Sequence, residues 1–304
     1  MIPCQTEGDS MSKKTNICPV SITLDDVTFE LQEPHDFSWL QSIGKVFCVF
    51  DQQDSGNICF GVENNSEKRF VKYAGSKPLD FSGKPEDAVL RLSDAMPLYT
   101  TLAHSHLIKL IDHFHIQDGY AAIYEWVNGE CLHPHWLFAE KPKHTHPDSS
   151  FYKFRQLPVE KRLQSLNAVY SFHKHVESKG YVAVDFYDGS IIYDFAKDRT
   201  KICDIDFYRT SPTVNDMGEN FWGAKRTKSP EEFILGATID SRTNVFTMGA
   251  IAFSLLGGEL DYSYSKWDAS RTLYEVALRA VCHEREQRYS NIHEFKAAWE
   301  AAQI

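Results

Sequence analysis

Four short segments carry residue types that could do chemistry. Lys72 closes the apolar run Arg69-Phe70-Val71-Lys72. An ammonium at the end of an apolar strand either snorkels to water or binds an anion. The second segment, Gly180-Tyr181-Val182-Ala183-Val184-Asp185-Phe186, passes from a helix stop through an apolar stretch into a carboxylate. It continues as Tyr187-Asp188-Gly189-Ser190-Ile191-Ile192-Tyr193-Asp194. A third, Lys201-Ile202-Cys203-Asp204-Ile205-Asp206-Phe207, is another apolar strand that ends in carboxylates. The fourth is Ser229-Pro230-Glu231-Glu232, followed by Asn244–Gly249 and, near the C-terminus, Glu286-Gln287-Arg288-Tyr289. Taken singly, the strand-end carboxylates could do no more than cap turns. Their order along the chain is the stronger signal.

The elements that must position these groups divide at about residue 127. Val46–Phe50, Ile58–Val62 and Arg69–Tyr73 are short β-prone runs separated by turn clusters, which predicts an antiparallel meander. Leu107–Phe114 and Tyr120–Val127 read as two more strands. Between them, Pro85–Leu102 has helical spacing at Val89, Leu92, Met96 and Tyr99, with Pro85 suited to the first turn. Pro97 predicts a kink or an early stop. Beyond Gly129 the pattern turns helical: Pro158–Lys179, with Gly180 as its left-handed stop, then Asn244–Leu256, Leu273–Cys282 and Asn291–Ala302. Ile191–Tyr193 and Lys201–Cys203 are short strands. A strand-rich third followed by a helix-rich remainder predicts an α+β, two-lobed architecture: a loose polar tail over 1–20, one lobe over 21–127 and another over 128–304.

The chain of 304 residues carries 32 basic and 42 acidic side chains, a formal charge of −10. That is long enough for two lobes at about 150 residues each. An acidic balance argues against nucleic acid as a partner, because affinity for phosphate backbones comes from Lys and Arg. No apolar run approaches the roughly 18 residues of a membrane span, and the N-terminal residues lack the apolar core of a signal peptide. Cys4, Cys18, Cys48, Cys59, Cys131, Cys203 and Cys282 are scattered and odd in number. They read as free thiols in a reducing compartment, so a cytoplasmic location is expected. The His-x-His pairs at 104/106, 113/115, 133/135 and 144/146 have no thiol or carboxylate at ligand spacing, so they do not read as a metal clip.

The ordered segments resemble the protein-kinase family, specifically a divergent bacterial eukaryotic-like serine/threonine kinase, from about Trp39 to Trp299. Lys72 stands where that family has the Lys of V-A-I-K, Asp185 at the Asp of H-R-D, and Asp204 at the Asp of D-F-G. Pro230-Glu231 is similar to the end of A-P-E, Asn244–Gly249 to the helix start beyond it, and Arg288 to the late arginine that pairs with that glutamate. His104–Leu110 resembles the turn after helix C, and Tyr124–Glu130 the hinge, with Tyr124 at the gatekeeper position. The resemblance implies a bilobal kinase-like fold, with ATP and Mg²⁺ as cofactors. The transfer would run from ATP to a hydroxyl on protein Ser/Thr or on a small molecule.

In that reading Lys72 binds the α/β-phosphates, Asp204 holds Mg²⁺, and Asp185 orients the attacking hydroxyl. The backbone of Glu125, Trp126 and Val127 takes the adenine edge, Glu130 reaches the ribose, and Gly44 in Gln41–Phe47 covers phosphate. Ser190 and Asp206 are the further metal candidates, with Asp188 as an alternative, and Glu231–Arg288 is a structural ion pair. Several positions depart from the family. Ala183-Val184 replaces H-R, Tyr187 the usual Lys, Ser190 the metal-binding Asn, and Asp206 the Gly of D-F-G. No carboxylate stands where Lys72 would find its helix partner, near Ala95, although Asp94 is adjacent. These departures leave open a pseudokinase acting as a nucleotide-sensing or scaffold module. The Asp204-Ile205-Asp206 triplet also resembles aminoglycoside and choline phosphotransferases, which generally lack A-P-E and the late arginine. The oligomeric state is not legible.

Overall fold

Period-two alternation builds the first part of the chain. The computed structural model describes residues 18–52, 54–134 and 141–303. β1 (Val20–Leu24) and β2 (Val27–Leu31) form a hairpin. There follow β3 (Lys45–Phe50), β4 (Asn57–Asn64), β5 (Glu67–Ala74), α1 (Pro85–Thr101), β6 (Leu110–Ile116) and β7 (Gly119–Glu125). The five strands β3–β7 make one antiparallel sheet in the order β3-β4-β5-β7-β6. On β5, Val71 and Tyr73 turn to a core with Phe29, Phe37 and Phe60. Phe70 and Ala74 turn to the opposite core, shared with Leu92, Met96 and Tyr99 of α1. Alternation therefore puts Lys72 on the α1 side, in register between Cys59 of β4 and Ala122 of β7.

Of the kink or early stop expected at Pro97, the stop does not occur: α1 continues to Thr101. Proline removes one backbone donor there. The buried residues Leu92, Ala95, Met96, Leu98 and Tyr99, on both sides of it, hold the helix against the sheet.

The remainder is mostly helical. It comprises β8 (Glu130–Cys131), α2 (Ser150–Arg155), α3 (Val159–Ser178), β9 (Tyr181–Val182), β10 (Ile191–Asp194) and β11 (Arg199–Ile202). Then come β12 (Arg209–Thr210), β13 (Thr213–Val214), β14 (Thr238–Ile239), α4 (Ser241–Leu256), α5 (Arg271–Ala280) and α6 (Ile292–Ala301). α4 is buried from Thr243 to Leu256, which is why uncharged residues occupy all of its faces there. Gly180 ends the turn after α3 at φ +78°, the left-handed stop expected there. β11, β10 and β8 form a small sheet. Backbone bonds from Ile108 N to Ile202 O (2.9 Å) and from Ile202 N to His106 O (2.7 Å) tie the segment after α1 to β11. One apolar core runs from α1 and β7 through α3 and α4 to α6.

The architecture is thus α+β, with helices and small antiparallel sheets. No helix among the described residues is long and apolar enough to cross a membrane. Cys18, Cys48, Cys59, Cys131, Cys203 and Cys282 are free thiols. Most of the expected tail, residues 1–17, lies outside the described residues, as do Cys4 and His135.

Candidate functional site

Lys72 and the turn after β11 meet although they lie far apart in the chain. The Lys72 ammonium donates to Asp204 Oδ1 at 2.8 Å and to Asp206 Oδ2 at 2.7 Å, across 132 and 134 residues. The turn is shaped by Asp204, in the left-handed region at φ +56°, and by Ile205, fully buried between the two carboxylates. Asp204 keeps 41% of its side chain exposed, Asp206 only 7%. The second oxygen of Asp206 accepts from the Tyr99 hydroxyl of α1 at 2.7 Å. Burial by itself would lower the Lys72 ammonium, but Asp204 and Asp206 outweigh it and hold Lys72 well above the usual lysine range.

Lys72 and Asp204 stand in the wall of a cleft of about 360 Å³. Apolar rings, including Phe50, Phe70 and Tyr124, line it beside Glu125, Trp126, Val127 and Glu130. Trp126 meets Phe47 of β3 edge to face at 4.9 Å and donates to Asn128 Oδ1 at 3.0 Å. The Glu125 carboxylate accepts from Lys201 at 2.5 Å and from the Lys109 backbone at 3.1 Å, while its own N–H is bonded to Lys109 O. Glu130 is paired with Lys153 at 2.8 Å.

Asp185 follows the buried residues Val182, Ala183 and Val184 and adopts φ +65°. It is not part of the cleft wall. Burial, and then the charges of Asp204 and Asp54, push its carboxyl up to about 8, and Lys72 opposes that only in part. Asp54 belongs to the turn between β3 and β4.

Other expected residues stand elsewhere. Gly44 does not line the cleft. It lies at the start of β3, where a Cβ would come 2.5 Å from the Glu63 carbonyl oxygen, so close packing of β3 on β4 accounts for the glycine. The charge that reaches Asp185 from this side is Asp54, in a stretch that the sequence marks only as a turn cluster. Ser190 is fully buried off the cleft wall, and its hydroxyl has no hydrogen-bond partner among the described residues. Asp188 is also buried. Lys143 reaches it at 2.7 Å, and Arg226 contacts it through Nη2 and, at 3.1 Å, through Nε. Burial would raise the Asp188 carboxyl, but Lys143, Arg226 and His133 hold it below the usual range.

Glu231 and Arg288 come together, 5% and 0% exposed, with Nη1–Oε1 at 2.8 Å and Nη2–Oε2 at 3.1 Å. Arg285 and Thr243 also donate to Glu231, both at 2.9 Å.

Three participants carry no signal of their role in the sequence: Tyr99 stands there only at helical spacing, and neither Lys143 nor Arg226 lies in a segment that the sequence singles out. Among the described residues no group of three or more His, Cys, Asp or Glu side chains could hold a metal. Asp204 is the one expected metal ligand with a carboxylate on the cleft wall. Comparison of the chain with family models and with curated proteins returned no match.

Proposed function

We propose that the chain is an ATP-dependent phosphotransferase with a bilobal, kinase-like fold, its lobes meeting near Val127, and that it transfers the γ-phosphate to a Ser/Thr hydroxyl on protein. The observation that carries this is the 2.8 Å contact of Lys72 with Asp204 in a ring-lined cleft bordered by Glu125–Val127. A largely apolar cleft with a cation and a carboxylate in its wall suits a base joined to a polyphosphate. Phosphoryl transfer asks the protein mainly to position groups and neutralise charge. Lys72 is the cation for phosphate oxygens, and the exposed oxygens of Asp204 suit a hard cation.

A bound Mg²⁺ would neutralise charge on the transferring phosphate. Among the expected metal ligands, Asp204 is the one whose surroundings fit such an ion. Asp188 is already neutralised by Lys143 and Arg226, Ser190 is sealed from the cleft, and both oxygens of Asp206 are engaged. Asp185, with its carboxyl pushed up to about 8 by burial and by Asp204 and Asp54, favours the protonated form at neutral pH. Cationic charge brought in with the nucleotide would return it to the carboxylate that orients a hydroxyl.

The neutralised Asp188 and the buried Ser190 favour a second reading, a nucleotide-binding module that transfers no phosphate. Incubation with γ-labelled ATP and Mg²⁺, with and without a generic protein acceptor, separates the two. Label on protein that is lost in Asp185→Ala supports the kinase reading. ATP-induced thermal stabilisation without label supports the module. Absence of both refutes nucleotide function altogether.

A further inference from the structure

The phosphate-binding lysine of this cleft has no carboxylate opposite it on α1, and the position where one would be sought is the buried Ala95. A lysine nearly buried inside a strand needs a fixed counter-charge, or it is costly to bury. The geometry points to Asp206 as the permanent holder of Lys72 and to Tyr99 as the positioning residue that locks Asp206 to α1, leaving Asp204 as the exchangeable, metal-facing partner. This rests on the reading of the cleft as a nucleotide site.

Burial and bonding separate the two carboxylates. Asp206 is 7% exposed, with one oxygen on Lys72 at 2.7 Å and the other on the Tyr99 hydroxyl at 2.7 Å. Turning it into the cleft would break a charge-assisted bond at each oxygen and strand a buried phenol. Asp204 is 41% exposed, and the bond to Lys72 is the one hydrogen bond its side chain makes among the described residues. A cation entering the cleft competes for Asp204 alone. Tyr99 is itself fixed, buried with its ring centroid 5.0 Å from that of Tyr124 in the cleft wall. The position of α1 is thereby transmitted to Lys72 through two hydrogen bonds rather than one direct ion pair.

The test compares Asp206→Asn, Tyr99→Phe and Asp204→Asn in the full chain. One readout is the rate at which an N-hydroxysuccinimide ester acylates Lys72, followed by mass spectrometry without nucleotide. The other is the ATP dissociation constant in EDTA and in Mg²⁺. Asp206→Asn should speed Lys72 acylation by about tenfold and Tyr99→Phe by a few-fold, since each loosens the ammonium. Both should weaken ATP by the same factor with and without Mg²⁺, whereas Asp204→Asn should abolish the Mg²⁺ dependence. Tyr99→Phe keeps the packing volume, so a folded variant is in hand even where Asp206→Asn is not. Unchanged acylation in Tyr99→Phe, or loss of the Mg²⁺ dependence in Asp206→Asn, overturns the assignment. A wild-type protein that binds no ATP refutes the nucleotide reading, and the acylation rates still decide who holds Lys72.

Discussion

Replacing Arg288 with lysine keeps the charge and discards the fork, and the structure says what that costs. All five N–H donors of Arg288 are used. Nε serves Cys282 O at 2.7 Å; Nη1 serves Glu231 Oε1 at 2.8 Å and Arg242 O at 3.2 Å; Nη2 serves Glu231 Oε2 and His283 O, each at 3.1 Å. A lysine ammonium places three donors on one centre and cannot reach carbonyls on opposite sides of the guanidinium plane. It forfeits two or three of the five bonds in a site with no water access. At about 1–1.5 kcal/mol each, the loss is about 3 kcal/mol, close to the cost of breaking a buried ion pair. With a urea slope of about 3 kcal/mol per M, the unfolding midpoint of Arg288→Lys should fall by about 1 M at unchanged slope. The double change Glu231→Met/Arg288→Met should recover only part of the single-mutant loss, because the carbonyls of Cys282 and His283 lose the donor that Arg288 gives them. An Arg288→Lys midpoint within 0.2 M of wild type, an allowance set by about 0.5 kcal/mol of experimental scatter, would show that charge alone matters here.

Other consequences follow from burial and charge. The folded state favours protonated Asp185, so its contribution to stability is present below the ordinary carboxylate range near 3.8 and is lost as pH rises toward about 8, at most about 1.4 kcal/mol per pH unit. Asp185→Asn should therefore melt higher than wild type at pH 7–8 in EDTA, with the difference shrinking toward pH 5; a gap independent of pH contradicts this. Asp188→Asn leaves Lys143 and Arg226 with Glu259 as their remaining shared carboxylate and should cost about 1–3 kcal/mol, read by urea titration. Because Asp188 stands off the cleft wall, ATP affinity in Mg²⁺ should stay within about twofold; a larger loss would make Asp188 a metal ligand after all. Gly44→Ala should destabilise by about 1–3 kcal/mol, through the clash with the Glu63 carbonyl, while leaving ATP binding unchanged in calorimetry.

Legibility in the sequence tracks how local each determinant is. Alternation at 69–74 is enough to set which face Lys72 occupies, and α3 shows its length through the spacing of Leu163, Leu166, Val169, Phe172 and Val176 before Gly180. Pro97 is a local signal that packing overrode. Gly44 is ambiguous by nature, since a glycine permits close approach to a phosphate or to a neighbouring strand, and only the register of β3 on β4 separates the two. The partners of the buried carboxylates are the least local facts of all. Tyr99 and Asp206 are 107 residues apart, and nothing in a helical pattern distinguishes a tyrosine that packs from one that also donates.

The same reasoning explains why the strand-end carboxylates differ in role although their local sequences look alike. Asp188, Asp204 and Asp206 all follow short apolar runs, so each reads as a candidate ligand for a hard cation. What separates them is the side chain delivered from elsewhere in the chain. Lys143 and Arg226 neutralise Asp188, and Lys72 with Tyr99 saturates Asp206. Asp204 shares only the lysine and keeps its oxygens toward the cleft. A carboxylate already satisfied by a buried cation gains little from a second one and would have to break existing bonds to take it. On the proposed reading, Asp204 is therefore the carboxylate among these three that is left to face a divalent cation.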